Sequence, residues 1–167
     1  MAKKKMKISD AGLQLIKKFE GCRLQAYWDV NGYSIGYGHH GADVTKGMSI
    51  TQKVADDFLK KDVEKFEKAV NDLKYDFNQN QFDALVDFAY NCGAGNLLKL
   101  TANNTRSIKE ISAKIPAYCK AGGVALSGLV NRRNAEKAHL ILHVCYSSGF
   151  SRLVCNLMES SVIYYQP

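Results

Sequence analysis

Phe19-Glu20-Gly21-Cys22-Arg23-Leu24-Gln25-Ala26-Tyr27-Trp28-Asp29-Val30-Asn31-Gly32-Tyr33-Ser34-Ile35-Gly36-Tyr37 is the stretch from which the fold can be read. Just before it, Ser9 or Asp10 can cap a short helix over residues 11–19, with Leu15, Ile16 and Phe19 at helical spacing and Gly21 as the stop. Glu20 therefore falls where a helix ends. Within the stretch, Arg23 to Tyr27 and Tyr33 to Tyr37 read as two strands around Asn31-Gly32, a pair that accepts the positive φ angles of a tight hairpin turn. Asp29 falls at the mouth of that turn.

The remainder reads as helices. After a loop from Gly38 to Gly47, Ser49 or Thr51 can cap one long helix with Val54, Phe58, Val63, Phe66 and Val70 on its apolar face. Residues 79–92 place Phe82, Leu85, Val86, Ala89 and Tyr90 at the spacing of a strongly buried helix, stopped at Gly93-Ala94-Gly95. Ser107 and Glu110 match a capping box, so a helix is predicted to start there and to end near Pro116. Gly122-Gly123 breaks the chain, and a last helical pattern runs from about Leu129 to Leu142. A small hairpin beside a mostly helical body is an α+β arrangement.

Composition narrows the class. The 167 residues are 46% apolar and 23% charged, with 2 Pro and 13 Gly, as expected for one globular domain. The net charge is +7 and favours anionic partners, but Lys3, Lys4, Lys5 and Lys7 supply four of those charges. Residues 1–7 thus read as a flexible basic start, and no basic stripe interleaved with aromatics marks a nucleic-acid reader. Charges from Lys7 to Lys18 interrupt any apolar signal-peptide core, and no apolar run is long enough for a transmembrane segment. Cys22, Cys92, Cys119, Cys145 and Cys155 are odd in number and lack metal-ligand spacing, so they read as buried thiols of a reducing cytosol, with a disulfide pair as the alternative. Residues 143–167 contrast with the rest: they contain Phe150, Leu153, Val154, Leu157, Met158, Val162 and Ile163, with only Arg152 and Glu159 charged. This apolar tail is compatible with a packed segment, a partner-binding tail or a foreign end.

Glu20 and Asp29 are carboxylates nine positions apart, one at a helix end and one in the adjoining hairpin, so folding can set them across a groove. Glycoside hydrolysis uses such a pair: one protonated carboxyl donates to the leaving oxygen while an ionised one activates water or attacks carbon. The same spacing also suits two solvated surface acids. Gly36-Tyr37-Gly38-His39-His40-Gly41 has the G-x-G-x-x-G form of a dinucleotide fingerprint, but no apolar helix follows and no βαβ unit surrounds it. His39 and His40 lack partners at metal spacing and read as structural or solvent-facing.

Several ordered motifs together resemble the phage-type lysozymes, glycoside hydrolase family 24. They are Phe19-Glu20-Gly21, Ala26-Tyr27-Trp28-Asp29, Tyr33 to His39, Gly47-Met48-Ser49-Ile50-Thr51, Gln81 to Leu85 with Phe88, Asn91 and Gly93-Ala94-Gly95, and Gly128-Leu129-Val130 with Arg132-Arg133 and Ala135-Glu136. The likeness covers residues 8–142, which would form the catalytic domain of a lysozyme-like fold, and gives the tail of 143–167 no role. It implies a peptidoglycan muramidase, without cofactor or metal, that cuts the β-1,4 bond between N-acetylmuramic acid and N-acetylglucosamine. Glu20 matches the family's acid and Asp29 its second catalytic carboxylate, while Ser34 falls where the family usually has Thr, in a turn one residue shorter. For Arg132 and Arg133, packing, surface charge and a role at the cleft remain equally open. The resemblance further implies a monomer made in the host cytoplasm, exported by a separate pore protein and acting on the wall. A lytic transglycosylase and a non-catalytic wall-binding module are the alternatives; Asp29 and Ser34 speak against the first, and the retained Glu20 and Asp29 against the second. The expectation for Glu20 itself is a neutral carboxyl, favoured by the negative end of its helix and by aromatic neighbours.

Overall fold

The computed structural model describes residues 4–147, with side chains through residue 142. Helix α1 spans Asp10–Glu20, with the Ser9 side chain accepting from the Gly12 amide and Gly21 ending it. Strands β1 (Arg23–Asp29), β2 (Gly32–Gly36) and β3 (His39–His40) form an antiparallel sheet in that order. The hairpin turn lies one residue earlier than the Asn31-Gly32 pattern suggests. Val30 and Asn31 sit at its tip, neither with positive φ, and Asp29 pairs with Gly32. The Asp29 carboxylate accepts from the Val30 amide at 2.8 Å and so stabilises the turn from outside.

The single long helix expected after Thr51 is two: α2 (Gln52–Asp62) and α3 (Glu64–Asn71), separated at Val63. Val63 keeps right-handed helical dihedrals, so the chain bends there without unwinding. Ala55, Leu59, Val63 and Val70 are buried, and Val54, Phe58 and Phe66 lie at the edge of that face. Helix α4 (Gln79–Cys92) carries a full capping box between Asn78 and Gln81. Its residues Phe82 to Ala89 are all buried, because α1, α3, α5 and α7 pack around it on every side. Two acids, Asp83 and Asp87, lie inside that run and need internal partners.

Gly93 does end α4, yet α5 (Ala94–Leu100) starts at once and buries Leu97 and Leu100, an element that the Gly-Ala-Gly reading left out. Helix α6 (Ile108–Lys114) has the expected Ser107–Glu110 box and runs into a 3-10 turn over Ile115–Tyr118. Gly122 and Gly123, read as a simple break, both have positive φ and form the turn of a short hairpin, β4 (Lys120–Ala121) with β5 (Val124–Ala125). Helix α7 (Ser127–Ser147) passes the predicted end near Leu142 and enters the apolar tail; residues 148–167 lie outside the described residues.

The basic start is fixed at its inner end. Asn71 accepts from the Met6 amide and donates to the Met6 carbonyl, each at 2.9 Å. Lys7 Nζ meets Glu67 at 2.8 Å, and Glu67 also accepts from the Ile8 amide. Residues 6 and 7, read as part of a flexible segment, are therefore attached to α3.

Candidate active site

A groove of about 400 Å³ opens between the sheet and the helical body. Glu20 enters from the end of α1, Tyr27 and Asp29 from β1, and His40 from β3. Lys65, Phe66, Tyr90 and Asn91 form the opposite wall from α3 and α4. Alternation along β1 explains why Tyr27 and Asp29 face the groove together. Trp28, which points the other way, is exposed and meets Tyr33 edge to face. Gly36 has φ +65, and a Cβ there would come within 3.3 Å of Ala55, so this glycine lets the sheet lie close on α2.

Behind the groove, His39 is buried with its Nδ1 2.8 Å from Asp62 and its Nε2 3.2 Å from Asp43, and its ring stacks on Phe58. Burial alone would lower its pKa, but the hydrogen bonds to Asp62 and Asp43 outweigh burial and raise it. Tyr90 donates to the Tyr37 carbonyl at 2.9 Å, and burial raises its phenol above the usual range, which keeps it a neutral donor.

The fold brings Glu20 and Asp29 to one groove. Ser34 differs: it is 1% exposed, pairs with Tyr27 and His40 in the sheet, and its hydroxyl lies 3.4 Å from His40 Nδ1. It contributes no surface to the groove and reaches it through His40. Glu20 is half-buried, with a partner that the sequence reading left undecided: Arg132 Nη1 donates to Glu20 Oε1 at 2.6 Å. Arg132 also makes a two-point contact with Asp87, at 2.7 and 3.2 Å. The surroundings of Glu20 thus include a guanidinium as well as the helix end and the aromatic rings. Among the described residues, no group of three His, Cys, Asp or Glu side chains could hold a metal ion.

A small antiparallel sheet beside a helical body, with a groove between them, defines a lysozyme-like fold. The phage lysozyme family model matches residues 17–136, and the chain belongs to that family. It is 46% identical over 167 residues to the endolysin of Bacillus phage PZA, a match covering 95% of this chain and 62% of that protein. The endolysin of Lactococcus phage c2 is 47% identical over 137 residues, covering 78% of this chain and 58% of its own length. The chain thus spans little more than half the length of these relatives. Coverage of 95% means that the first match also reaches into 143–167, beyond the motifs on which the resemblance rests. Among solved structures, the endolysin from Escherichia coli O157:H7 phage FAHEc1 superposes with a TM-score of 0.73 at 35% identity, covering 84% of this chain and 96% of that one. The muramidase domain of SpmX from Asticaccaulis excentricus gives 0.73 at 34% identity, with coverage of 81% and 97%.

Proposed function

We propose that the chain is a peptidoglycan muramidase of the endolysin type. One observation carries the reading: Glu20 and Asp29 line the same groove, together with the rings of Tyr27, Tyr37, Phe66 and Tyr90. Aromatic walls suit the apolar faces of a glycan, and the two carboxyl groups suit its hydrolysis. In this reading Glu20 donates its proton to the oxygen leaving the anomeric carbon of N-acetylmuramic acid. Asp29, ionised, takes a proton from the water that attacks that carbon. Ser34 supports the water side by way of its neighbour His40. Attack from the face opposite Glu20 inverts the anomeric configuration.

The net charge of +7 favours adsorption onto an anionic wall. Production in the host cytoplasm, delivery by a separate pore protein and action as a monomer belong to the same proposal, through the resemblance to phage endolysins. Among the described residues, no helix is long and apolar enough to cross a membrane. Mass spectrometry of digested peptidoglycan tests the reaction. Reducing ends are expected, formed as the inverted anomer in real-time NMR, whereas anhydro ends would identify a transglycosylase. Glu20→Gln should fold and lose lysis, because the amide keeps the shape but has no acid proton to give. Lysis near the wild-type rate would remove Glu20 from the mechanism.

A further inference from the structure

The groove holds one cation that the hydrolysis leaves unused. Glu20, Asp29 and Asp62 bring three carboxyl groups to its lining, and among the described residues Lys65 is the one lysine or arginine there. Each carboxyl group already has a partner within the protein: Arg132 for Glu20, the Val30 amide for Asp29 and His39 for Asp62. The charges beside Lys65 on α3 are likewise engaged. Glu64 and Glu67 face Lys7 at 3.8 and 2.8 Å, and Lys68 meets Asp72 at 2.6 Å. Lys65 is exposed and, among the described residues, makes no ion pair.

Its position is set by rings. Lys65 Nζ stands 5.0 Å from the centre of the Phe66 ring. Phe66 meets Tyr90 edge to face at 5.3 Å, and Tyr90 is fixed to the Tyr37 carbonyl at 2.9 Å. A cation over a ring face is attracted by the ring's quadrupole, yet its N–H donors stay free for an acceptor. The ammonium group is therefore placed on the wall across the groove from Asp29, with donors to spare.

Peptidoglycan supplies the missing partner. Its N-acetylmuramic acid carries, through a lactyl group, a short peptide stem with free carboxylates. Such an anion meets repulsion in a groove lined by three carboxyl groups unless a cation offsets it. We propose that Lys65 is a specificity-determining residue that binds a carboxylate of the peptide stem and so selects glycan bearing charged stems. The inference rests on the muramidase reading and deepens it. Phosphates of other wall polymers share the chemistry, but the stem is attached to the sugar whose bond is cut. Lys65 touches no reacting atom, so the contact acts on KM and leaves kcat unchanged.

Lys65→Met keeps most of the side chain and removes its charge, whereas Lys65→Arg keeps the charge. Both are compared with wild type on soluble peptidoglycan chains freed of phosphate polymers, as isolated and after the stem carboxylates have been converted to amides. On the unmodified chains Lys65→Met should raise KM by about three- to fivefold at constant kcat, and Lys65→Arg should stay near wild type. On the amidated chains wild type and Lys65→Met should agree, because the pair then lacks one member in either protein. Salt at about 1 M should also close the gap. Equal KM values on the unmodified chains would overturn the proposal. So would a deficit that persists on the amidated chains, which would make Lys65 a packing residue, or one that appears only when phosphate polymers are left in place, which would assign phosphate instead. Wild-type release of reducing ends is the control: without it the muramidase reading fails and takes this inference with it, whereas turnover with an unmoved KM removes Lys65 alone.

Discussion

His39 lies between Asp62 and Asp43 with its ring on Phe58, and the stability this arrangement supplies should depend on pH in one direction. Its folded pKa is raised, so the native state holds the imidazole proton more tightly than the unfolded chain, where histidine titrates near 6.5. The contribution is complete below that value and disappears as pH rises through the folded pKa. Asp62→Asn keeps the shape of the side chain and removes its charge. It thereby weakens a charge-assisted hydrogen bond of 2.8 Å, made to a side chain only 10% exposed and worth about 2 kcal/mol. Asp43 is largely exposed and adds little. For a chain of this size, the variant should melt about 4–8 °C below wild type at pH 6. The gap should narrow toward zero at about pH 9, once the wild-type imidazole is neutral. Thermal unfolding followed by circular dichroism at both pH values gives the result. An equal deficit at pH 6 and pH 9 would mean that Asp62 holds His39 by shape alone, and a larger deficit at pH 9 would reverse the sign of the argument.

Ser34→Ala should slow hydrolysis while leaving wall binding unchanged, since the hydroxyl sits behind His40 and contributes no groove surface; kinetics and a pull-down on insoluble wall separate the two effects. Gly12→Ala should lower the melting temperature despite alanine's better helix propensity, because a Cβ there would lie 2.6 Å from Ile8 and 2.7 Å from the Asp83 carboxyl carbon. We expect a net loss of about 1–3 kcal/mol in denaturant titrations, and a gain would show that the N-terminal segment moves aside freely. Reducing agent should leave thermal unfolding unchanged, as Cys22, Cys92 and Cys119 are free thiols; a fall equivalent to about 2–4 kcal/mol would reveal a disulfide.

The elements legible in the sequence are those fixed by neighbours along the chain. Ser9, Thr51, Asn78 and Ser107 each cap a helix through an amide three residues away or closer, and Gly21 and Gly93 end theirs. The hairpin is legible for the same reason, although its turn lies one residue earlier, where Asp29 accepts from the Val30 amide. Interactions across long separations were not visible. Asp83 and Asp87 interrupt an apolar run four residues apart, which says that each needs a partner but not which one. Their partners include Ser9, 74 residues away, and Arg132, 45 away. The site followed the same division. Glu20 and Asp29 are legible because one short segment carries both, whereas Arg132 joins Glu20 only through the contact of α7 with α1 in the fold. Ser34 lies in the strand where the pattern put it, and its burial arises from β3, a two-residue strand too short to leave a periodicity.

The bond between Glu20 and Arg132 spans 112 residues, and this has a consequence for the time at which the site comes into being. A ribosome adding roughly 5–20 residues per second needs roughly 6–20 s to pass from one to the other. During that interval the nascent chain already carries Glu20, Asp29 and the hairpin, but not the guanidinium that fixes the acid or the helix that closes α4. Helix α1 can already pack on α4, but Glu20 must wait for a partner made much later in the chain. An incomplete product released before α7 would therefore carry both groove carboxylates without the support that holds Glu20 in place.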